Sequence, residues 1–140
     1  MFTFGREHEK KCEASYIRSA EQIPILMAVV DAVHDLIEGI GTEENVASAI
    51  RMAFIEGGAG VWEGAARWLR KCSVDYPSVL QLWPEFAAHR HADVRFRVAC
   101  FLDEMPQNIY SSLSSILVTD RSKKVANMAA ARVLERGRAA

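Results

Sequence analysis

Residues 61–69 read VWEGAARWL, residues 94–102 read VRFRVACFL and residues 125–133 read VANMAAARV. Each stretch begins with valine, carries small or apolar residues four and five positions later, and ends on leucine or valine at position eight. The three valines are 33 and 31 residues apart. A near-constant period of this size, with a 3.6-residue rhythm inside each stretch, is typical of helical repeats. The sequence therefore predicts an all-α fold in the form of a short α-solenoid.

The segments that precede the repeated stretches align in the same register. The residues eight positions before the three valines are Ala53, Phe86 and Leu117. The residues twelve positions before them are Ala49, Leu82 and Leu113. This second register predicts that each repeated helix has a preceding partner and forms a helical hairpin with it. We expect about seven helices in one domain spanning residues 1–140, with capping helices in 1–41 and hairpins in 42–137.

Local signals set the expected helix boundaries. Helices are predicted at 6–20, 25–38, 43–56, 59–72, 77–86, 93–104, 106–117 and 120–136. Thr42 is the expected N-cap of the third of these, Pro84 is expected to bend the fifth, and Gly137 is expected to end the last. The buried face of the helix at 25–38 is predicted to consist of Leu26, Val29, Val30, Val33, Leu36 and Ile37.

Two of the repeated stretches resemble a known family. The residues concerned are Asp93-Val94-Arg95 with Ala99 and Leu102, and Asp120 through Val125 with Ala130 and Val133. They resemble the second helix of HEAT and HEAT-like repeats, and the resemblance covers about residues 43–136. It implies a right-handed stack of antiparallel helix pairs. The chain departs from the family at Trp62 and Ala126, where arginine is usual, and lacks the aspartate before Val61.

Composition and the N-terminal residues set the broad class of the protein. Half of the residues are apolar and a quarter are charged, as in soluble globular proteins. No secretory signal or membrane-spanning run is recognisable, so we predict a cytoplasmic protein. The three cysteines, Cys12, Cys72 and Cys100, are far apart and are expected to be free thiols. We expect no cofactor and no bound metal.

Charge is unevenly distributed along the chain. Residues 21–63 hold eight acidic side chains and one arginine, a net charge of −7, whereas residues 64–140 hold twelve basic and seven acidic side chains, a net charge of +5. Such a distribution suits a surface that recognises a partner of opposite charge.

Asp31, His34, Asp35 and Glu38 follow the spacing i, i+3, i+4 and i+7, which places them on one side of a helix. Three interpretations are open: a solvated acidic face, a face that binds a partner, or a divalent-metal site. A di-iron type of site would require a partner helix with a Glu-x-x-His motif, and the chain has no such motif.

A partner-binding surface is predicted on the repeated helices, at positions two, three, six and nine after each valine. These positions hold Glu63, Gly64, Arg67 and Arg70, then Phe96, Arg97, Cys100 and Asp103, then Asn127, Met128, Ala131 and Leu134. Phe96, Met128 and Leu134 are apolar where solvent is expected. They indicate either a binding surface or coverage by a neighbouring helix or a dimer mate.

Two further motifs contain clustered histidines and clustered glycines. His89-Arg90-His91 is either an exposed polar turn or a site for an anion or acidic partner. The glycines at 57, 58 and 60 lack the Lys-Ser/Thr of a phosphate loop and are interpreted as a break between helices.

We predict a non-enzymatic protein-binding module, specifically an immunity protein that binds and neutralises a bacterial toxin or effector. The acidic segment would suit a basic toxin such as a nuclease. The alternatives are a general adaptor and a HEAT-like nucleic-acid-binding protein related to alkylpurine glycosylases, in which Arg67, Arg70, Arg95, Arg97 and Lys124 would contact phosphates and Trp62 would stack. The near-neutral total charge argues against strong binding of nucleic acid. For the oligomeric state, both a monomer and a homodimer are open.

Overall fold

The computed structural model describes residues 5–139, and these residues contain helices and no β-strand. The α-helices are α1 (Arg6–Ala14), α2 (Ile23–Ile37), α3 (Glu43–Glu56), α4 (Val61–Ser73), α5 (Leu82–Ala87), α6 (Ala92–Ala99), α7 (Gln107–Leu117) and α8 (Lys123–Ala139). Short 3₁₀ segments occupy Ala20–Gln22, Pro77–Gln81 and Leu102–Glu104. The predicted all-α class is confirmed. Within residues 5–139, no helix combines the length and the apolar character needed to cross a bilayer.

The chain divides into two compact units, the first ending at Leu80 and the second beginning at Gln81. The first unit contains α1 to α4 and the second contains α5 to α8. The single repeat domain and the right-handed solenoid stay predictions.

Helix α2 is the centre of the first unit, because it packs against α1, α3 and α4. Pro24 lies in its first turn, where the missing N–H would have no intrahelical partner. Its buried face is formed by Leu26, Val29, Val30 and Val33, none of which is exposed. Helix α3 begins at the predicted cap, with the Thr42 hydroxyl accepting the Asn45 N–H at 3.1 Å. Trp68 of α4 is fully buried.

The second unit consists of two consecutive helix pairs. Helix α5 packs against α6, and α7 packs against α8; α5 also contacts α7, and α6 contacts α8. Two helical hairpins lying side by side produce this set of contacts. The predicted pairing of each repeated helix with the helix before it therefore holds within this unit.

The repeated apolar stripe is buried in the way its sequence suggests, with one departure. Val61, Val94 and Val125 are at most 3% exposed, and Leu69 and Leu102 are fully buried. The third copy differs, because Ala130 is exposed and Val133 is half-buried.

Arg136 of α8 holds the end of the 3₁₀ segment that follows α6. Its guanidinium donates to the carbonyl of Met105 at 2.6 Å and lies 3.4 Å from the carbonyls of Leu102 and Asp103. The same group stacks over the ring of Tyr110, 3.9 Å from the ring centroid. A single side chain thus supplies hydrogen-bond donors to the carbonyl groups at the end of the short 3₁₀ segment.

Several predicted boundaries are wrong. Helix α1 ends at Ala14 rather than Ala20, where the Ser15 hydroxyl bonds to the Cys12 carbonyl at 2.6 Å and competes with helix continuation. The helix predicted at 77–86 is a 3₁₀ segment before α5, so that Pro84 lies in the first turn of α5 and is tolerated there. The helix predicted at 93–104 becomes α6 and a separate 3₁₀ segment.

The remaining corrections concern helix ends and helix faces. Helix α8 continues through Gly137 to Ala139, since glycine in an exposed helix weakens it without ending it. Gly64 was predicted to face outward but is buried, and a Cβ there would lie 2.7 Å from Cδ2 of Leu26. Ile37 was predicted to be buried but is 42% exposed, and Leu36 is half-buried.

Candidate functional site

A basic groove lies in the second unit, formed by the turn before α6, the turn before α8 and the end of α7. We use the term basic groove for this depression, which has a volume of about 570 Å³. Its exposed lining includes Arg90, Arg121 and Ile116. Beneath them lie Arg95 and Asp120, whose side chains are 7% and 8% exposed.

The pair of Arg95 and Asp120 fixes the shape of the groove. The Arg95 Nε donates to Oδ2 of Asp120 at 2.8 Å, and Nη2 donates to Oδ1 at 3.1 Å. Nη1 of the same guanidinium donates to the carbonyls of His89 and Arg90 at 2.9 and 3.0 Å. Asp120 also accepts the N–H of Ser122 at 2.9 Å. One buried pair therefore joins both turns, and its bidentate geometry holds them in a single arrangement.

The pKa values of the two groups agree with this geometry. Hydrogen bonds from the Arg95 guanidinium lower the pKa of Asp120, and the Ser122 N–H and the charge of Arg121 add to that effect against the opposing effect of burial. The hydrogen bond to Asp120 raises the pKa of Arg95 above its ordinary value. Both groups are therefore charged near neutral pH, and their charges offset each other.

The groove keeps a positive charge after this cancellation. The guanidinium groups of Arg90 and Arg121 are exposed, and no carboxylate among residues 5–139 lies within ion-pair distance of either. The second unit as a whole has nine basic and six acidic side chains, a net charge of +3, against −4 for residues 1–80.

The turn before α6 contributes His89 and Arg90 to the lining of the groove. The backbone N–H of His91 donates to Nδ1 of His89 at 3.1 Å. When His89 is neutral, its proton therefore resides on Nε2. The two imidazole rings lie 5.3 Å apart, so the turn is compact. The guanidinium groups of the groove, together with the exposed side chain of Ile116, can recognise an anionic group next to an apolar one.

The predicted acidic residues of α2 lie together against α1. We call Asp31, Asp35 and Glu38 the acidic face. Nη2 of Arg6 lies 2.7 Å from both Asp35 Oδ1 and Glu38 Oε2, and Nη1 lies 3.4 Å from Asp31 Oδ1. Nζ of Lys10 lies 3.0 Å from Asp31 Oδ2. The chain itself thus covers this face with cationic groups, and its binding of a partner stays a prediction.

His34 lies in a more buried environment than the residues of the acidic face. Its side chain is 9% exposed, and Nε2 lies 3.6 Å from Oε1 of Glu9. Within the described part of the chain, no group of three His, Cys, Asp or Glu side chains is arranged to hold a metal ion. The carboxylates instead face Arg6 and Lys10.

The residues predicted on α4 have different environments. Oε1 of Glu63 accepts the N–H of Gly60 at 2.8 Å and so caps α4. Nη2 of Arg67 bonds to Oε2 of Glu13 at 2.6 Å, and Arg70 is exposed. Glu63 and Arg67 therefore have structural contacts that the sequence pattern did not indicate.

The residues predicted on α6 and α8 lie within the second unit. Nζ of Lys124 lies 4.3 Å from the centroid of the Phe96 ring, which shows that α8 partly covers this phenylalanine. Phe96, Arg97 and Met128 are half-buried, and Asn127 is exposed. Coverage by a neighbouring helix was one of the two interpretations offered for Phe96.

Two residues proposed for nucleic-acid contact are placed unfavourably for it. Arg95 is buried and paired with Asp120, so its guanidinium is not available to a phosphate. Trp62 is half-buried and packs edge-on against Phe54, with ring centroids 6.3 Å apart.

The groove arginines were not recognised as a pair in the sequence, although a signal for them exists. Arg90 precedes Val94 by four residues, and Arg121 precedes Val125 by four residues. They therefore occupy the same place in successive repeats, and consecutive hairpins bring such positions close together.

Comparison with protein-family models, curated proteins and solved structures finds no significant match to this chain.

Proposed function

We propose that this protein is a non-enzymatic protein-binding module whose basic groove binds an acidic segment of a partner protein. The observation that carries the proposal is the pair of exposed guanidinium groups, Arg90 and Arg121, which line a groove shaped by the buried pair of Arg95 and Asp120.

Exposed arginines on a fixed frame are suited to carboxylate recognition. A guanidinium binds a carboxylate through two parallel hydrogen bonds, and these bonds are stronger than those between neutral groups. Because Arg95 and Asp120 already hold the two turns, little ordering of the backbone is needed when a ligand binds. Ile116 is 57% exposed and offers an apolar contact for a side chain that lies between two acidic residues.

The groove is better suited to binding than to catalysis. Asp120 is its only lining carboxylate, and both of its oxygens accept hydrogen bonds from Arg95. A general base needs an oxygen that is free to take a proton from a substrate. Ser115 and Thr119 direct their hydroxyl groups to backbone carbonyls of α7, which supports a structural role for both.

Within this class, neutralisation of a bacterial toxin or effector in the cytoplasm remains our specific hypothesis, and a general adaptor is its alternative. It is supported by the small size of the chain and the segregation of its charge. Co-purification of the chain with the product of a neighbouring toxin-like gene tests it. Failure to protect cells that express this product would contradict the immunity hypothesis and leave the groove proposal intact.

The binding experiment uses a fluorescein-labelled peptide in which a leucine is flanked by glutamates. Binding by the full chain is followed by fluorescence anisotropy. Each charge-assisted hydrogen bond contributes about 1.5–3 kcal/mol, so replacement of Arg90 and Arg121 by alanine is expected to weaken binding roughly tenfold or more.

A matched variant separates the groove from general electrostatic attraction. Replacement of the exposed Arg18 and Arg138 by alanine changes the net charge by the same amount. Neither residue lines the groove, so the affinity should stay within about twofold, because dissolved salt screens exposed charges that do not contact the ligand. Equal losses in the two variants would reject the groove. Tight binding of duplex DNA that depends on Arg90 and Arg121, without peptide binding, would favour a nucleic-acid ligand instead.

A further inference from the structure

Helix α1 is unusual in what it buries. Among residues 6–14 the buried side chains are those of Glu9 and Glu13, and no apolar side chain of this helix is buried. Most helices dock by burying an apolar stripe, as α2 does with its leucine and valines. The docking of α1 on the first unit therefore depends mainly on charged groups.

The contacts of α1 with α2 and α4 are ion pairs in partly exposed positions. Arg6 is shared among the three carboxylates of the acidic face, and Lys10 lies beside Asp31. Glu13 bonds to Arg67 of α4. Such pairs contribute little individually, because water competes for both partners and dissolved salt screens their attraction.

Two further features make the docking of α1 incomplete. Oε1 of Glu9 is buried and accepts no hydrogen bond from residues 5–139, although it lies 3.6 Å from Nε2 of His34. A buried oxygen without a hydrogen bond is unfavourable, and release of α1 would return it to water. An open groove of about 500 Å³ also lies between α1 and α4, beside the pair of Glu13 and Arg67. The residues that line it include His8, Cys12 and Lys71.

The segment that follows α1 is held much more firmly. Ile17 is 7% exposed, and Oε1 of Gln22 accepts the N–H of Gly58 at 2.8 Å. Gly60 has a φ of +87° and lies so close to the chain that a Cβ there would be 2.9 Å from the carbonyl oxygen of Tyr16. Helix α1 can therefore leave while Ile17 remains anchored, and a free helix of nine residues is unstable in water.

We propose that α1 is a displaceable cover of the acidic face, and that an arginine- and lysine-rich helical segment of a partner protein takes its place. The cationic character of this partner follows from what α1 places on the face now. Arg6 and Lys10 are four residues apart, so they lie on one side of the helix and reach the three carboxylates together. A segment with several cations at this spacing presents the same pattern without the buried glutamates of α1.

Hydrogen exchange of the full chain measures the first requirement, which is that α1 opens independently. The amides of α1 should exchange much faster than those of α2, and about 0.5 M NaCl, which reduces the Debye length to a few ångströms, should accelerate α1 selectively. Exchange of α1 that is as slow as that of α2, or that does not change with salt, would overturn the proposal.

Competition is tested with an alanine-based helical peptide that carries arginines at i and i+4 spacing. Replacing Arg6 and Lys10 by alanine removes the resident cations and should raise the affinity for the peptide. If α1 covers the face about nine-tenths of the time, the rise is roughly tenfold. The wild-type chain should show faster exchange in α1 and slower exchange in α2 when the peptide is bound.

A carboxylate variant and its control complete the test. The triple substitution Asp31→Asn, Asp35→Asn and Glu38→Gln should abolish peptide binding. The control changes the exposed Glu21, Glu44 and Glu56 to Gln. It removes the same amount of charge and should preserve most of the peptide binding. Unchanged exchange of α3 shows that each variant is folded. Equal weakening by both sets, or weaker binding after loss of Arg6 and Lys10, would refute displacement. Neither outcome bears on the basic groove, which lies in the other unit.

Discussion

Replacement of Arg95 by methionine is expected to be among the most destabilising single changes in the second unit. It removes both hydrogen bonds to Asp120 and the bonds to the carbonyls of His89 and Arg90, while the methionine keeps much of the buried volume. Asp120 is then left as a buried charge without its partner. Loss of one member of a buried ion pair costs about 3–5 kcal/mol, and we expect a loss of this size in the free energy of unfolding.

The pH dependence of this loss has a definite sign. The pKa of Asp120 is lowered in the folded protein, so its stabilising contribution is present above the unfolded value of about 4 and is lost as the pH falls through the folded value. Without Arg95, protonation of Asp120 removes the unpaired charge. The difference in unfolding free energy between the wild type and the Arg95→Met variant should therefore shrink from pH 7 to about pH 3.

Urea unfolding followed by far-ultraviolet circular dichroism measures both effects, provided that the m-values agree. Arg138→Met is the control, since its pair with Glu135 is exposed and should be worth about 0–1 kcal/mol. A loss below about 1 kcal/mol for Arg95→Met at pH 7, or a difference that does not fall on acidification, would refute the assigned role of the buried pair.

Three further predictions use the same unfolding assay or simple labelling. Gly64→Ala should destabilise the protein by about 1–3 kcal/mol because the new Cβ meets the buried side chain of Leu26. Gly137→Ala, which has open space around it, should stabilise the protein by about 0.5–1 kcal/mol. Equal effects of the two substitutions would contradict the buried placement of Gly64. Thr42→Ala should cost about 1 kcal/mol by removing the cap of α3, and Thr42→Ser should restore it. Cys12 is exposed and should react with a thiol reagent in the folded protein, whereas Cys72, whose pKa is raised by burial to about 11, should react only after unfolding; labelling of Cys72 at the rate of Cys12 would disprove this.

The apolar repeat predicted the all-α class correctly, because a helix with one buried face produces a local period in the sequence. The spacing of Val61, Val94 and Val125 indicated helices with a buried stripe, and all three valines are buried. The prediction was less accurate for Gly64, since its position on the helix suggested solvent while its lack of a side chain allows α2 to approach. Which small residues permit close contact depends on the neighbouring helix and is not visible in one helical period.

The candidate sites were harder to predict, since they depend on contacts between distant residues. The acidic spacing on α2 was recognised, but the position of Arg6 against it depends on how α1 returns to α2. Likewise, the pairing of Asp120 with Arg95 was not predicted, because it follows from the association of two hairpins. Long-range ion pairs of this kind leave no periodic trace in the sequence.

The hydrogen bonds of Arg136 also determine how late in translation the second unit can reach its folded state. The carbonyl of Met105 finds its donor in a side chain that is synthesised 31 residues later. While a ribosome still holds residue 136, the turn after α6 must be hydrated or bound by a chaperone. Nascent second units are therefore expected to remain accessible to proteases until the last turns of α8 have emerged from the exit tunnel.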